Sequence, residues 1–95
     1  MATNDKQTVF LTGASSGINL GIARHFAVLG MNISILARKV DKLAAAQKEI
    51  EDLGAHCLTF SADVRKYDDV VKAFAETADT FGPIDTVIAG AAGNF

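Results

Sequence analysis

The stretch that decides the fold is Thr12-Gly13-Ala14-Ser15-Ser16-Gly17-Ile18-Asn19-Leu20-Gly21. It follows the short apolar run Val9-Phe10-Leu11 and opens a series, Ile18, Ile22, Phe26 and Leu29, that recurs at helical spacing. A strand that turns through glycines into a helix leaves free backbone N–H groups at the positive end of that helix, where an anion can be held. Gly13 permits a tight turn off the strand. Gly17 lets the backbone approach a pyrophosphate without a Cβ in the way. Ser15 and Ser16 offer hydroxyl hydrogen bonds to the same group. A purely structural strand-to-helix turn uses similar residues, so the flanking sequence has to separate the two.

Outward from the loop, short apolar runs alternate with longer stretches of helical period. Gly30 closes the first helical stretch and Ile33 to Ala37 is the second strand. Leu43, Ala46, Ile50 and Leu53 form the next helical stripe, stopped by Gly54, and Cys57 to Phe60 is the third strand. Val71, Phe74, Ala78 and Phe81 mark a third helix with Asp68 and Asp69 in its first turn, where acids favour the helix dipole. Gly82-Pro83 ends it, and Ile84 to Ala89 is the fourth strand. The expected fold is α/β: a Rossmann-type parallel sheet of β-α-β-α-β-α-β topology and strand order 3-2-1-4. Right-handed crossovers place the first two helices on one face and the third on the other. One helix does not cover a four-stranded face, so residues 1–95 read as the N-terminal dinucleotide-binding half of a longer doubly wound domain.

Composition agrees with a globular unit. The 95 residues are 49% hydrophobic and 21% charged, with a net charge of −2 that gives no reason to expect nucleic acid or an anionic membrane as partner. No apolar stretch approaches the ~20 residues of a membrane span, and no cationic segment leads into a signal-peptide core. The single cysteine, Cys57, suits a reducing compartment and reads as a small buried hydrophobe. The expected location is cytoplasmic.

Three motifs in order carry a family resemblance that spans essentially the whole chain. Thr12-Gly-x-x-x-Gly17-Ile18 resembles the cofactor loop of the short-chain dehydrogenase/reductase family. Asp63-Val64 looks like its adenine-contacting aspartate, and Ala89-Gly90-Ala91-Ala92-Gly93 resembles its Asn-Asn-Ala-Gly segment. The resemblance implies a dinucleotide cofactor, a small-molecule substrate for the full-length parent and a parent that is a homo-oligomer. Two positions depart from the pattern. Asn19 stands where the family usually has a third glycine; asparagine tolerates positive φ, and its side chain is expected to crowd or contact the cofactor. Ala89-Gly90 replaces two asparagines that brace the sheet in relatives. The ending Ala91-Ala92-Gly93-Asn94-Phe95, with Ala37-Arg38-Lys39 through Leu43, is most similar to the 2,4-dienoyl-CoA reductase branch, which implies an NADPH-dependent reduction of a carbonyl or conjugated enoyl thioester.

The corner after the second strand selects the dinucleotide. An acid there binds the 2′-hydroxyl of NAD, whereas arginine accommodates the 2′-phosphate of NADP. Arg38-Lys39 fills that corner with no carboxylate before it, and the guanidinium fork matches a phosphate bidentately. NADP(H) is the preferred cofactor, with NAD(H) as the alternative.

The resemblance implies a catalytic serine, tyrosine and lysine after a fifth strand, a set that these residues do not include. Tyr67, the only tyrosine, has no lysine four residues on and reads as a surface or partly buried helix residue. No Cys, His, Asp and Glu cluster has metal-ligand spacing, and a Gly-x-Ser-x-Gly hydrolase elbow is not present. Two other readings stand beside an oxidoreductase: a nucleotide-binding module without chemistry, and a methyltransferase-like Rossmann domain, against which Arg38-Lys39 argues.

Overall fold

Successive residues of a strand face opposite sides of a sheet, and here both sides are apolar. The computed structural model describes residues 6–13 and 17–90. The elements run β1 (Thr8–Thr12), α1 (Gly17–Val28), β2 (Asn32–Ala37), α2 (Val40–Asp52), β3 (Cys57–Ser61), α3 (Tyr67–Phe81) and β4 (Thr86–Ala89). All strand pairs are parallel, as the alternation predicts, and the sheet order is β3-β2-β1-β4, as expected of a Rossmann-type sheet. Val9 and Leu11 of β1 join Ile33 and Ile35 of β2 in one buried cluster with Ala23 and Ala27 of α1 and Leu43, Ala46 and Ile50 of α2. Phe10 and Leu36 point the other way and meet Ala73 of α3. The first two helices therefore share one face and α3 takes the other.

The chain reverses direction across the sheet between β1 and β4, so the loop leaving β1 lies at the topological switch point, outside the carboxyl ends of the strands. The fourth strand is shorter than its apolar run suggests. The Asp85 carboxylate accepts the Thr8 N–H at 2.8 Å while the Asp85 N–H donates to the Thr8 carbonyl at 2.9 Å, and the regular ladder starts only at Thr86. Val87 pairs with Phe10 in register, so it lies on the α3 side, where it is 53% exposed.

Two helix faces differ from the sequence reading. Ile18 of α1 and Leu29 just after it are exposed, and the buried positions of α1 are Ala23 and Ala27. In α3, Val71 and Phe74 are substantially exposed, although Phe74 tilts against Phe10 at 5.2 Å between ring centroids. The buried positions of α3 are Ala73 and Thr77. Small side chains let both helices approach the sheet closely, and the larger ones fall to the shoulders of the contact.

Thr77 shows how α3 is seated. Its hydroxyl donates to the Ala73 carbonyl at 2.8 Å, so its oxygen accepts from Ser34 of β2 at 2.7 Å. Thr77→Val leaves the Ser34 hydroxyl buried with no acceptor. It is expected to cost about 1–3 kcal/mol, whereas Ser34→Ala, which strands no donor, costs about 1 kcal/mol or less; urea unfolding ranks the two. Cys57 packs in the first cluster, and its burial, followed by the charge of Glu51, pushes its thiol up to about 12. Among the described residues, no helix is long and apolar enough to cross a membrane.

Candidate functional site

Three strands end together at one edge of the sheet. The Gly13 N–H donates to the Leu36 carbonyl at 2.8 Å, Ala62 N–H to Ala37 at 2.8 Å, and Gly90 N–H to Thr12 at 3.2 Å. These bonds carry the ladder one residue past β1, β3 and β4, so the segments beyond them leave from a common line. Gly13, Gly17, Arg38, Asp63 and Gly90 all lie on that edge.

Gly13 and Gly17 both have φ near +70°, the left-handed region that glycine enters freely. A Cβ placed on Gly17 would meet nothing within 4 Å, so glycine is required there by the backbone turn, and the space beside it is open. Gly17 begins α1, and no acid occupies the first turn to compete with an anion for the helix N–H groups. Ile18 is 84% exposed at this mouth. Ser15, Ser16 and Ala91 lie outside the described residues.

Asn19 behaves differently from the sequence reading. It is helical, and among the described residues no residue other than glycine has a positive φ. Its carboxamide donates to the Gly90 carbonyl at 3.2 Å and, at longer range, to the Gly13 carbonyl at 3.5 Å. The side chain is thus turned onto the protein's own backbone.

Arg38 and Lys39 follow β2, both exposed, and lead into α2. The Ser61 hydroxyl donates to the Arg38 carbonyl at 3.0 Å and holds the backbone of this corner. The Arg38 guanidinium has one loose ion pair, 3.8 Å from Asp63 Oδ2, and its side chain is 65% exposed. Lys39 makes no ion pair among the described residues.

The Asp63 carboxylate is engaged chiefly by Arg65, a residue that motif reading passes over. Arg65 donates from its backbone N–H at 2.9 Å, from Nε at 3.1 Å and from Nη2 at 2.8 Å. The signal is local: an aspartate whose side chain bonds the N–H two residues on forms an Asx turn, and the spacing Asp63-Val64-Arg65 brings the guanidinium back over it. Val64 is exposed beside this turn. The side-chain hydrogen bonds from Arg65, then its backbone N–H, hold the Asp63 carboxyl well below the usual carboxylate range. Because the folded-state value is lowered, the pair's contribution is present at neutral pH and is lost only on acidification below the ordinary range of about 4. An NMR titration of the Asp63 carboxyl is expected to show this low midpoint, and Arg65→Ala is expected to move it upward.

The described residues at this end of the sheet are chemically compatible with an anionic dinucleotide. Space beside Gly17 is open, the first turn of α1 holds no acid, and two exposed cations stand one strand away. The Thr12 hydroxyl is also buried without a hydrogen-bond partner among the described residues.

Comparison with known proteins identifies the family. A family model described as short chain dehydrogenase matches residues 7–94. A 3-dehydrosphinganine reductase of Arabidopsis thaliana is 49% identical over 81 residues, covering 84% of this chain and 23% of that protein. A peroxisomal 2,4-dienoyl-CoA reductase of Danio rerio is 38% identical over 90 residues, covering 94% of this chain and 30% of that protein. Among solved structures, L-sorbose reductase from Gluconobacter frateurii, complexed with NADPH and L-sorbose, superposes with a TM-score of 0.85 at 33% identity, covering 94% of this chain and 34% of that one. The chain thus spans between 23% and 34% of the length of these relatives.

Proposed function

This chain belongs to the short-chain dehydrogenase/reductase family, and from that membership we propose that residues 1–95 are the dinucleotide-binding half of a reductase that takes NADPH. The observation that carries the reading is the placement of exposed Arg38 and Lys39 at the strand edge that also holds the Gly13–Gly17 turn. A dinucleotide laid along that edge has its pyrophosphate at the start of α1 and its adenosine ribose at the end of β2. NADPH supplies a hydride when bound. The residues of this chain bind and orient it. The N–H groups at Gly17 and Ile18, with the hydroxyls of Ser15 and Ser16, take the pyrophosphate. Arg38 and Lys39 take the 2′-phosphate, and Asp63 and Val64 flank the adenine. Ala89, Gly90 and Ala91 border the cofactor at the exit of β4. Asn19, at the same end of α1, contacts the Gly90 carbonyl and borders the cofactor.

Arg65 favours the phosphate in a second way. It occupies the Asp63 carboxylate and so leaves Arg38 only loosely held. A carboxylate without that partner would compete for Arg38 and repel a phosphate.

Relatives that act on acceptors as different as 3-dehydrosphinganine and a 2,4-dienoyl-CoA support a carbonyl or a conjugated enoyl thioester as the substrate class. The test is NADPH consumption by the full-length gene product, followed by nicotinamide absorbance, with a ketone panel in one arm and conjugated enoyl thioesters in the other. Turnover in either arm supports the reading. Tight NADPH binding with no turnover in both arms would instead favour the nucleotide-binding module.

A further inference from the structure

We infer that Asn19 and Gly90 are a matched pair, in which the Asn19 carboxamide is the positioning group that holds the start of α1 against the exit of β4. Only the functional consequence of this pairing rests on the dinucleotide reading. The Asn19 carboxamide nitrogen carries two N–H donors and lies within reach of two carbonyls from different segments, Gly90 after β4 at 3.2 Å and, at the limit of a hydrogen bond, Gly13 at 3.5 Å. The Gly90 N–H in turn donates to the Thr12 carbonyl at 3.2 Å. One side chain therefore clamps the phosphate turn to a strand end more than seventy residues away in sequence.

Gly90 is glycine for a steric reason. Its φ is not in the left-handed region, so the backbone there accepts any residue. A Cβ on it would overlap the Asn19 carboxamide, falling within 2.6 Å of Cγ and 2.8 Å of Oδ1. The carboxamide would have to swing away and release both carbonyls. Asparagine at position 19 and glycine at position 90 thus depend on each other, and the polar brace comes from the helix instead of from the strand exit.

The test is a double-mutant cycle in the full-length gene product, read in NADPH affinity and in unfolding temperature. Gly90→Ala is expected to weaken NADPH roughly three- to tenfold when Asn19 is present and less than about twofold in the Asn19→Ala background. Asn19→Asp gives a signature that lost packing does not produce. It keeps the shape but sets a carboxylate against two carbonyl oxygens. It is expected to lose about tenfold at neutral pH, more than Asn19→Ala, and to recover as the pH is lowered and the carboxyl becomes a donor. Equal penalties for Gly90→Ala in both backgrounds would overturn the pairing, as would an Asn19→Asp variant that binds NADPH like the unaltered protein at neutral pH. If the unaltered protein binds no dinucleotide, the functional reading falls and the pairing is decided by unfolding temperature alone: non-additive shifts sustain it and additive shifts overturn it.

Discussion

Arg38→Ala is expected to weaken NADPH binding by roughly ten- to a hundredfold, the range for charge-assisted hydrogen bonds, and to leave NADH within about twofold. The selectivity follows from where the arginine stands. Arg38 directly follows β2, and in the proposed binding mode it faces the ribose and not the pyrophosphate, so only a cofactor with a 2′-phosphate would meet it. Little folded-state structure is lost with it, because its one ion pair among the described residues, to Asp63, is long and the arginine side chain is 65% exposed. Arg38→Lys is expected to recover part of the affinity, since it keeps the charge and loses the planar fork. Calorimetric titration of both cofactors checks this. Equal losses for NADPH and NADH would mean that Arg38 acts on the fold and not on the phosphate.

The second large effect is on stability. Ile35→Ala is expected to destabilise the protein by about 2–5 kcal/mol in denaturant unfolding. Ile35 lies in β2, the strand between β1 and β3, and is fully buried in the cluster shared with α1 and α2. Truncation there opens a cavity that regular backbone on both sides cannot close. Ile18→Ala is the contrast. The residue is as apolar, but it is 84% exposed and lies in the first turn of α1, so its removal is expected to change stability by less than about 0.5 kcal/mol.

The two isoleucines mark what was legible in the chain. Strands were plain because a run such as Ile33 to Ala37 is apolar at every second position and nearly so in between, and glycines close the helices that separate one run from the next. Strand order was expected from the Rossmann-type pattern, and the crossover rule gave the helix faces. Helix faces were harder. In α1 and α3 the positions that meet the sheet are Ala23, Ala27, Ala73 and Thr77, small residues that a search for large apolar side chains passes over. At the site, the backbone requirement at Gly13 and Gly17 was readable from residue type. The direction of Asn19 was not, because it depends on the Gly90 carbonyl, which only the folded sheet brings near. Arg65 was hidden for a similar reason: its pairing with Asp63 lies in the turn geometry and not in a recognised motif.

Membership in the family also bears on the methyltransferase-like alternative, which the match over residues 7–94 sets aside. What remains to be measured is the cofactor itself. The most direct test is a titration of the unaltered full-length gene product with NADPH and NADH under one set of salt and pH conditions. The account predicts NADPH binding at least about tenfold tighter, the worth of one charge-assisted phosphate contact. Equal affinities, or tighter NADH, would contradict it.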